Sequence, residues 1–225
     1  MAKIQALRER RNRRRLQNQG EYCNIYLLIR RDQIPIVFNK GVFMKEIRWH
    51  GRGGQGAKTA SQLLADINLQ EGKFVQSFPE YGPERSGAPI RAYNRVSDEK
   101  IRVHSGVYEP DLVAVVDPTL LKAANPTDGL SEKDILLVNT TKSPEEVRSE
   151  TDFDGKIVTI DASGIAEQAG SGFANIPTLG ALVGVLETDY ETAKKEVEKA
   201  LSKKLAEEIV EMNLEAFKLG YEAVN

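Results

Sequence analysis

Apolar and polar positions change rhythm several times along the chain, and each rhythm predicts an element. Lys45-Glu46-Ile47-Arg48-Trp49-His50 alternates as a short strand does and runs straight into Gly51-Arg52-Gly53-Gly54-Gln55-Gly56. Ala57, Ala60, Leu63, Leu64 and Ile67 then recur at three-to-four-residue spacing, the apolar stripe of a helix, until Glu71-Gly72 ends it. Phe74 to Phe78 predicts a second strand and Pro79 to Pro89 a loop rich in glycine and proline. Ile90 to Val96 and Lys100 to Val103, separated by Ser97-Asp98-Glu99, predict a β-hairpin. Leu112 to Val116 is a continuous apolar run of the kind buried on both faces of a parallel sheet, and Ile135 to Val138 and Lys156 to Ile160 repeat it. Pro177 to Leu186 is small and apolar and predicts a packed helix. Tyr190 to Val224 carries Val197, Leu201, Leu205, Ile209, Met212 and Phe217 at helical spacing and predicts an amphipathic helix or helix pair over the sheet.

Strands alternating with helical segments define the fold class as α/β. The expected architecture is a Rossmann-like, mostly parallel sheet with flanking helices and an inserted β-hairpin. The 225 residues suffice for one large domain or two small ones. The folded domain is expected over 44–225, with 1–43 as a basic N-terminal extension outside the fold.

Charge sharpens that division. The net charge is −2, yet residues 1–40 hold ten Lys or Arg against three acidic residues. The run Arg10 to Arg15 has neither interleaved aromatics nor an apolar segment with a cleavage site behind it. It therefore reads as an appendage, as an upstream-extended reading frame would give, ahead of a targeting peptide or an interaction arm. Mutual repulsion of its arginines bars it from a packed core, so the leader is expected to be dispensable for folding. No nucleic-acid module is indicated, and the longest apolar stretch, Ile25 to Phe38, is broken by Arg30, Arg31 and Asp32, which excludes a membrane span. A cytoplasmic location follows as the expectation. The single cysteine, Cys23, permits no internal disulfide and no iron–sulfur cluster held by this chain alone.

Candidate chemistry gathers at the glycine loop. A strand delivering glycines to a helix start turns backbone N–H groups and the positive end of the helix dipole toward an anion, and phosphate is the natural ligand. Arg52 and Gln55 add a charge and an amide donor, while a tight turn without a ligand remains the competing reading. A Walker-type loop would need its lysine one residue earlier, because the extra residue before Lys58 rotates the side chain by about 100°. A nicotinamide site would want an acidic residue closing the second strand, and Glu80 follows only after Pro79. His50 and His104 stand at strand ends with no Ser, Cys or carboxylate at recognisable spacing, so structural roles are expected rather than a dyad or a metal site. Arg91 and Arg95 alternate on one strand face, either toward an anion or toward solvent.

Several separate motifs together resemble the gamma subunit of pyruvate:ferredoxin oxidoreductase and the wider 2-oxoacid:ferredoxin oxidoreductase family. They are His50 to Gly56, then Phe78-Pro79-Glu80-Tyr81-Gly82-Pro83-Glu84-Arg85-Ser86-Gly87-Ala88-Pro89, then Tyr108-Glu109-Pro110-Asp111 and Asp117-Pro118-Thr119-Leu120-Leu121. Order and spacing agree, and the resemblance covers Met44 to Asn225. The family commonly carries Arg-Arg-Gly before Ala-Pro where this chain has Arg85-Ser86-Gly87, so one expected charge is absent. Relatives acting on 2-oxoglutarate tend to lack the arginine between the first glycines and the Gly-Ala-Pro sequence, which points this chain to pyruvate or 2-oxoisovalerate.

The resemblance implies a complex that decarboxylates a 2-oxoacid on thiamine diphosphate with Mg, passes electrons through iron–sulfur clusters to ferredoxin, and delivers the acyl group to coenzyme A. It implies that alpha, beta and delta (ferredoxin-like) subunits carry those cofactors, and that this chain is a non-catalytic accessory subunit. Its candidate cofactor-binding residues are Gly51, Arg52, Gly53, Gly54, Gln55, Gly56 and Arg85, with the loop as a cradle for the diphosphate of coenzyme A. No catalytic or metal-ligating residue is expected. Tyr81, Glu84 and Arg85 are expected at a subunit or coenzyme contact, with a self-packed loop as the alternative. A free-standing nucleotide-binding protein using the same loop is the rival class.

Overall fold

The computed structural model describes residues 44–80 and 87–225. The extension 1–43, with Cys23, and the loop residues Tyr81, Glu84 and Arg85 lie outside the described residues. The elements run β1 (Met44–Arg52), α1 (Ala57–Gln70), β2 (Phe74–Glu80), β3 (Pro89–Ser97), β4 (Leu112–Val115), α2 (Leu120–Ala123), β5 (Ile135–Asn139), α3 (Pro144–Thr151), β6 (Lys156–Ile160), α4 (Ala162–Ala169), α5 (Asn175–Val185), α6 (Tyr190–Leu201) and α7 (Glu207–Glu222).

The six strands form one sheet in the order β2-β3-β1-β4-β5-β6. β1, β4, β5 and β6 pair in parallel, and β3 is antiparallel to both of its neighbours. Five strands thus share one direction around a single reversed strand, the mostly parallel α/β sheet that the strand–helix alternation predicts. Among the described residues no helix is long and apolar enough to cross a membrane.

The hairpin forms with a different partner from the one expected. Ile90 to Val96 lies within β3 as predicted, but Lys100 to Val103 forms no strand. Both edges of β3 are occupied, by β1 from Met44↔Ser97 to Arg52↔Pro89 and by β2 from Phe74↔Ser97 to Glu80↔Arg91. No backbone edge remains for the 100–103 segment. Nearby backbone carbonyls instead accept from sheet side chains: Val103 from Gln76, and Ser105 and Gly106 from Arg95.

Two cores lie on opposite faces of the sheet. Ile47 and Trp49 of β1 face α1, α5, α6 and α7 together with Ala114, Leu137 and Ile160. Val113, Val115, Leu136 and Val138 face α2 and α3 with Leu120, Val147 and Phe153. Every residue of β4 is buried, as its unbroken apolar run requires. Trp49 is fully buried and its indole N–H donates to Asn94 Oδ1 at 2.9 Å. Asn94 in turn donates to the Ser61 carbonyl of α1 at 2.8 Å, so one polar chain ties β1, β3 and α1 together.

α5 is buried on all sides from Asn175 to Gly184, which explains its lack of a polar face. It crosses α7 backbone to backbone. A Cβ on Gly180 would fall 2.1 Å from the Phe217 carbonyl oxygen, and one on Gly220 would fall 2.1 Å from that of Pro177. The charged tail is a helix pair, α6 and α7, whose apolar faces cover α1 and α5.

Candidate functional site

The carboxyl ends of β1 and β4 flank the point where the chain's order in the sheet reverses. β1 leads leftward through β2 and β3, and β4 resumes on its other side, which opens a crevice where α/β folds bind ligands. The glycine turn is built into this crevice. Gly51 lets α1 sit down on the strand, because a Cβ there would lie 2.9 Å from that of Ala57. Gln55 N–H donates to the Arg52 carbonyl at 3.0 Å and Arg52 N–H to Gln55 Oε1 at 2.8 Å, closing the turn twice.

Gly56 is the residue that starts α1, in the left-handed region at φ 77°, with no side chain to cap the helix. A side chain there would be strained, and its Cβ would meet Asn175 Nδ2 at 2.5 Å. The first turn of α1 holds no acidic residue, so its N-terminal amides and dipole are left without a built-in anion. Gly54, at φ 96°, has nothing within 4 Å of where a Cβ would stand. A ligand can reach the backbone there.

The far end of the Gly/Pro loop is stitched to the same turn. Gly53 N–H donates to the Ala88 carbonyl at 2.9 Å, and Gly87 N–H to that of Gly53 at 3.2 Å.

Asp117, just past β4, organises the polar side chains. Its Oδ2 accepts from Gln55 Nε2 at 2.7 Å and from Arg52 Nε at 3.1 Å. Its Oδ1 accepts from Thr119 N–H at 2.9 Å and from the Thr119 hydroxyl at 2.6 Å. Arg52 also donates to Thr119 Oγ1 and to the Gly87 carbonyl. Burial alone would raise the Asp117 carboxyl, but hydrogen bonds from the Thr119 side chain, Gln55 and the Thr119 backbone, with the Arg52 charge, outweigh it and hold the group below its ordinary value. Arg52 and Gln55 are therefore engaged in shaping the turn, while the backbone N–H groups of the first turn of α1 have no intrahelical acceptor and no side-chain cap.

Beyond Asp117 the crevice widens into a cleft of about 320 Å³, lined by Gln55, Asp117, Asn139, Ser163 and Phe173 among others. The N-terminus of α5 reaches it as well, with Asn175 Nδ2 donating to the Gly56 carbonyl at 3.3 Å. A larger concavity of about 460 Å³ lies elsewhere, against β2 and His104. Its guanidinium, Arg95, is already bonded to Glu46, Gln76 and two backbone carbonyls, so it offers little for a ligand.

The sequence motifs contain Asp117 and Thr119 without revealing that they clamp Arg52 and Gln55. Asn139, Ser163, Phe173 and Asn175 carry no local signal of a site. Asn175 meets Gly56 across 119 residues.

His50 and His104 are not brought together. His104 is exposed, whereas His50 is buried beside Arg48, whose guanidinium donates to the carbonyls of Pro126 and Asp128. Burial, reinforced by the charges of Arg48 and Arg91, lowers the His50 pKa to about 3. The imidazole is thus a neutral structural group. Because the folded value lies below the unfolded one, the unfolded chain binds the extra proton, and stability falls as pH drops below the unfolded value toward the folded one. His50 is expected to remove up to about 2 kcal/mol between pH 7 and 5. Urea unfolding of the wild type and His50→Gln across that range checks this; parallel pH slopes would refute it.

Fold and site together define a doubly wound α/β module with a glycine turn and an uncapped helix start at the switch point. Its relatives are specific. The chain matches the pyruvate ferredoxin/flavodoxin oxidoreductase family over residues 46–223. It is 54% identical over 181 residues to pyruvate synthase subunit PorC of Thermotoga maritima, covering 80% of this chain and 94% of that one. It is 45% identical over 170 residues to the pyruvate/ketoisovalerate oxidoreductases common subunit gamma of Thermococcus kodakarensis, covering 72% of this chain and 92% of that one. The crystal structure of pyruvate oxidoreductase subunit PORC (EC 1.2.7.1) from T. maritima superposes with a TM-score of 0.71 at 50% identity, covering 80% of this chain and 96% of that one. The chain belongs to the pyruvate ferredoxin/flavodoxin oxidoreductase family, as a gamma subunit.

Proposed function

We propose that this subunit presents coenzyme A within a complex that converts pyruvate reversibly to acetyl-CoA and CO2 with reduction of ferredoxin. The observation that carries the reading is the start of α1. It is an uncapped helix N-terminus with no acidic residue in its first turn, reached over the open backbone of Gly54 at the switch point. A diphosphate fits such a donor set, since each N–H there lacks an intrahelical acceptor. Gly53, Gly54 and Gly56 bring the backbone within reach. Gly51 seats the helix, and Arg52 and Gln55 hold the turn in shape through Asp117. Arg85, beyond the described residues, is the candidate for an added charge.

Thiamine diphosphate with Mg supplies the stabilised carbanion of decarboxylation and iron–sulfur clusters the electron path, both on the alpha, beta and delta subunits. The role of this chain is to bind, orient and dock. The name of the T. kodakarensis relative supports a second reading, service in a 2-oxoisovalerate-oxidising complex, because that gamma subunit is common to both oxidoreductases. Under either reading the choice of 2-oxoacid is made on another chain.

The test uses the assembled complex. Gly53→Asp sets a carboxylate beside the turn and is expected to raise KM for coenzyme A about 10-fold or more, as loss of a charge-assisted contact does, with KM for pyruvate unchanged. An unchanged KM for coenzyme A in a complex that still assembles would overturn the reading.

A further inference from the structure

β2 stands first in the sheet order, and among the described residues no strand pairs with its outer side. Which of its groups face outward follows from the hydrogen bonds further in. The carbonyls of Glu46 and His50 accept from the N–H groups of Asp111 and Val116, each at 2.8 Å, on the β4 side of β1. Ile47, Trp49 and Gly51 therefore bond to β3, because bonded residues alternate along an antiparallel ladder. Carried through the registers Trp49↔Ala92 and Tyr93↔Phe78, the same alternation commits the N–H and C=O groups of Phe74, Gln76 and Phe78 to β3. Those of Val75 and Ser77 point away from the sheet. Pro79 keeps this phase, since it has no N–H to give and stands at an outward position.

The features that protect a free edge are confined to the end of the strand, at Pro79 and Glu80. β2 is seven residues long, holds no charged side chain before Glu80, and pairs with β3 without a bulge. Beside it lies the concavity of about 460 Å³ that reaches from Val75 to Phe78 and on to His104. Its rim is the segment 98–104, anchored by the ion pair of Asp98 with Lys73 and by Gln76 Nε2, which donates to the Val103 carbonyl at 3.1 Å. That rim is basic. Lys100, Arg102 and His104 stand at alternate positions, all exposed, and form no ion pair among the described residues.

We infer that the outer edge of β2 receives an extended, acidic segment of another subunit of the oxidoreductase complex as an added strand. The backbone of that segment takes the free groups of Val75 and Ser77, and its carboxylates meet Lys100, Arg102 and His104. A second copy of this chain is the poorer occupant. The two-fold axis of such a pairing stands perpendicular to the sheet, which puts both basic rims on one face and opposes like charges. The inference rests on the docking role proposed above and is independent of where the coenzyme binds.

The test compares the assembled complex with the isolated full-length chain. Hydrogen exchange of the Val75 and Ser77 amides, resolved by mass spectrometry, is expected to be about 10-fold or more slower in the complex, as for amides drawn into a ladder. Equal exchange in the two samples overturns the inference. Slow exchange already in the isolated chain overturns it as well: protection that grows with concentration puts a second copy on the edge, and protection that does not shows that the chain covers the edge itself. Variants then read the two halves of the recognition, through the concentration at which this chain leaves the complex on dilution, followed by mass photometry. Val75→Pro removes one outward donor without touching the bonds to β3 and is expected to raise that concentration about 10-fold, whereas Val75→Ala, which keeps the N–H, should raise it about threefold or less. Arg102→Glu is expected to raise it about fivefold and Arg102→Gln by less. Equal effects of the two Val75 variants, or none from Arg102→Glu, overturn the inference. If Val75→Pro does not fold, the exchange result and Arg102→Glu decide it. A complex that holds this chain with both amides unprotected leaves the docking role standing and removes only the β2 edge; a chain that never co-purifies with other subunits removes both.

Discussion

Gly180→Ala is expected to destabilise the domain by about 3 kcal/mol or more, at the upper end of what overpacking costs. One methyl group suffices because the added Cβ would meet backbone, the Phe217 carbonyl oxygen at 2.1 Å, and not a side chain that could turn aside. Relief requires α5 and α7 to move apart. That shift would loosen Leu179, Leu182, Ala216 and Phe217, all buried in the larger core. Gly72→Ala serves as the comparison: φ is 78° there, but nothing stands within 4 Å of the new Cβ. Its cost should stay near the roughly 1 kcal/mol of a left-handed alanine. Equilibrium urea unfolding of both variants checks the contrast. A Gly180→Ala domain as stable as Gly72→Ala would show that the helices do not cross at this distance.

The second large effect is expected at Asp117. Asp117→Ala removes four accepted hydrogen bonds at once and strands the Arg52 guanidinium and the Gln55 amide in a partly buried turn. Hydrogen bonds to charged groups contribute about 1.5–3 kcal/mol each and do not add within one network, so a loss of about 2–4 kcal/mol is expected. Asp117→Asn keeps the size but can no longer accept at every position, and it should fall between. The pH dependence has a definite sign. The carboxyl is held below its ordinary value in the folded chain, so its contribution is full above the unfolded value and disappears as pH falls through the folded one. Thermal unfolding of the wild type and Asp117→Asn from pH 7 downward is the measurement. A difference between them that persists unchanged into strong acid would contradict the role given to the carboxylate.

Much of the architecture was legible because its cues are local. The alternation from Lys45 to His50, the glycines behind it and the stripe from Ala57 to Ile67 announce β1, the turn and α1 within a few residues of their observed bounds. Leu112 to Val116 reads as buried on both faces because it lacks a polar phase, and β4 is buried throughout. The hairpin misled because Ser97-Asp98-Glu99 is sound local turn chemistry. What defeated it is non-local: β1 and β2 take both edges of β3, in pairs that run from Met44↔Ser97 to Arg52↔Pro89 and from Phe74↔Ser97 to Glu80↔Arg91, separations that the turn chemistry at Ser97-Asp98-Glu99 does not register. The same limit governs the site. Gln55 and Asp117 meet across 62 residues and Asn139 and Ser163 across 24, so the glycine turn could be found by its motif while the groups that brace it could not.

Trp49 gives the molecule an optical property of its own. It is the only tryptophan in the sequence, it is sealed from water, and it stands two residues ahead of Gly51. Emission excited in the indole band therefore arises from a single chromophore at the root of the glycine turn. Its N–H is tied through Asn94 to α1, so water entering between β1, β3 and that helix would shift the emission to the red. In isolation the chain thus carries an unlabelled, single-site fluorescence gauge of whether the strand, the helix and the turn between them remain in register.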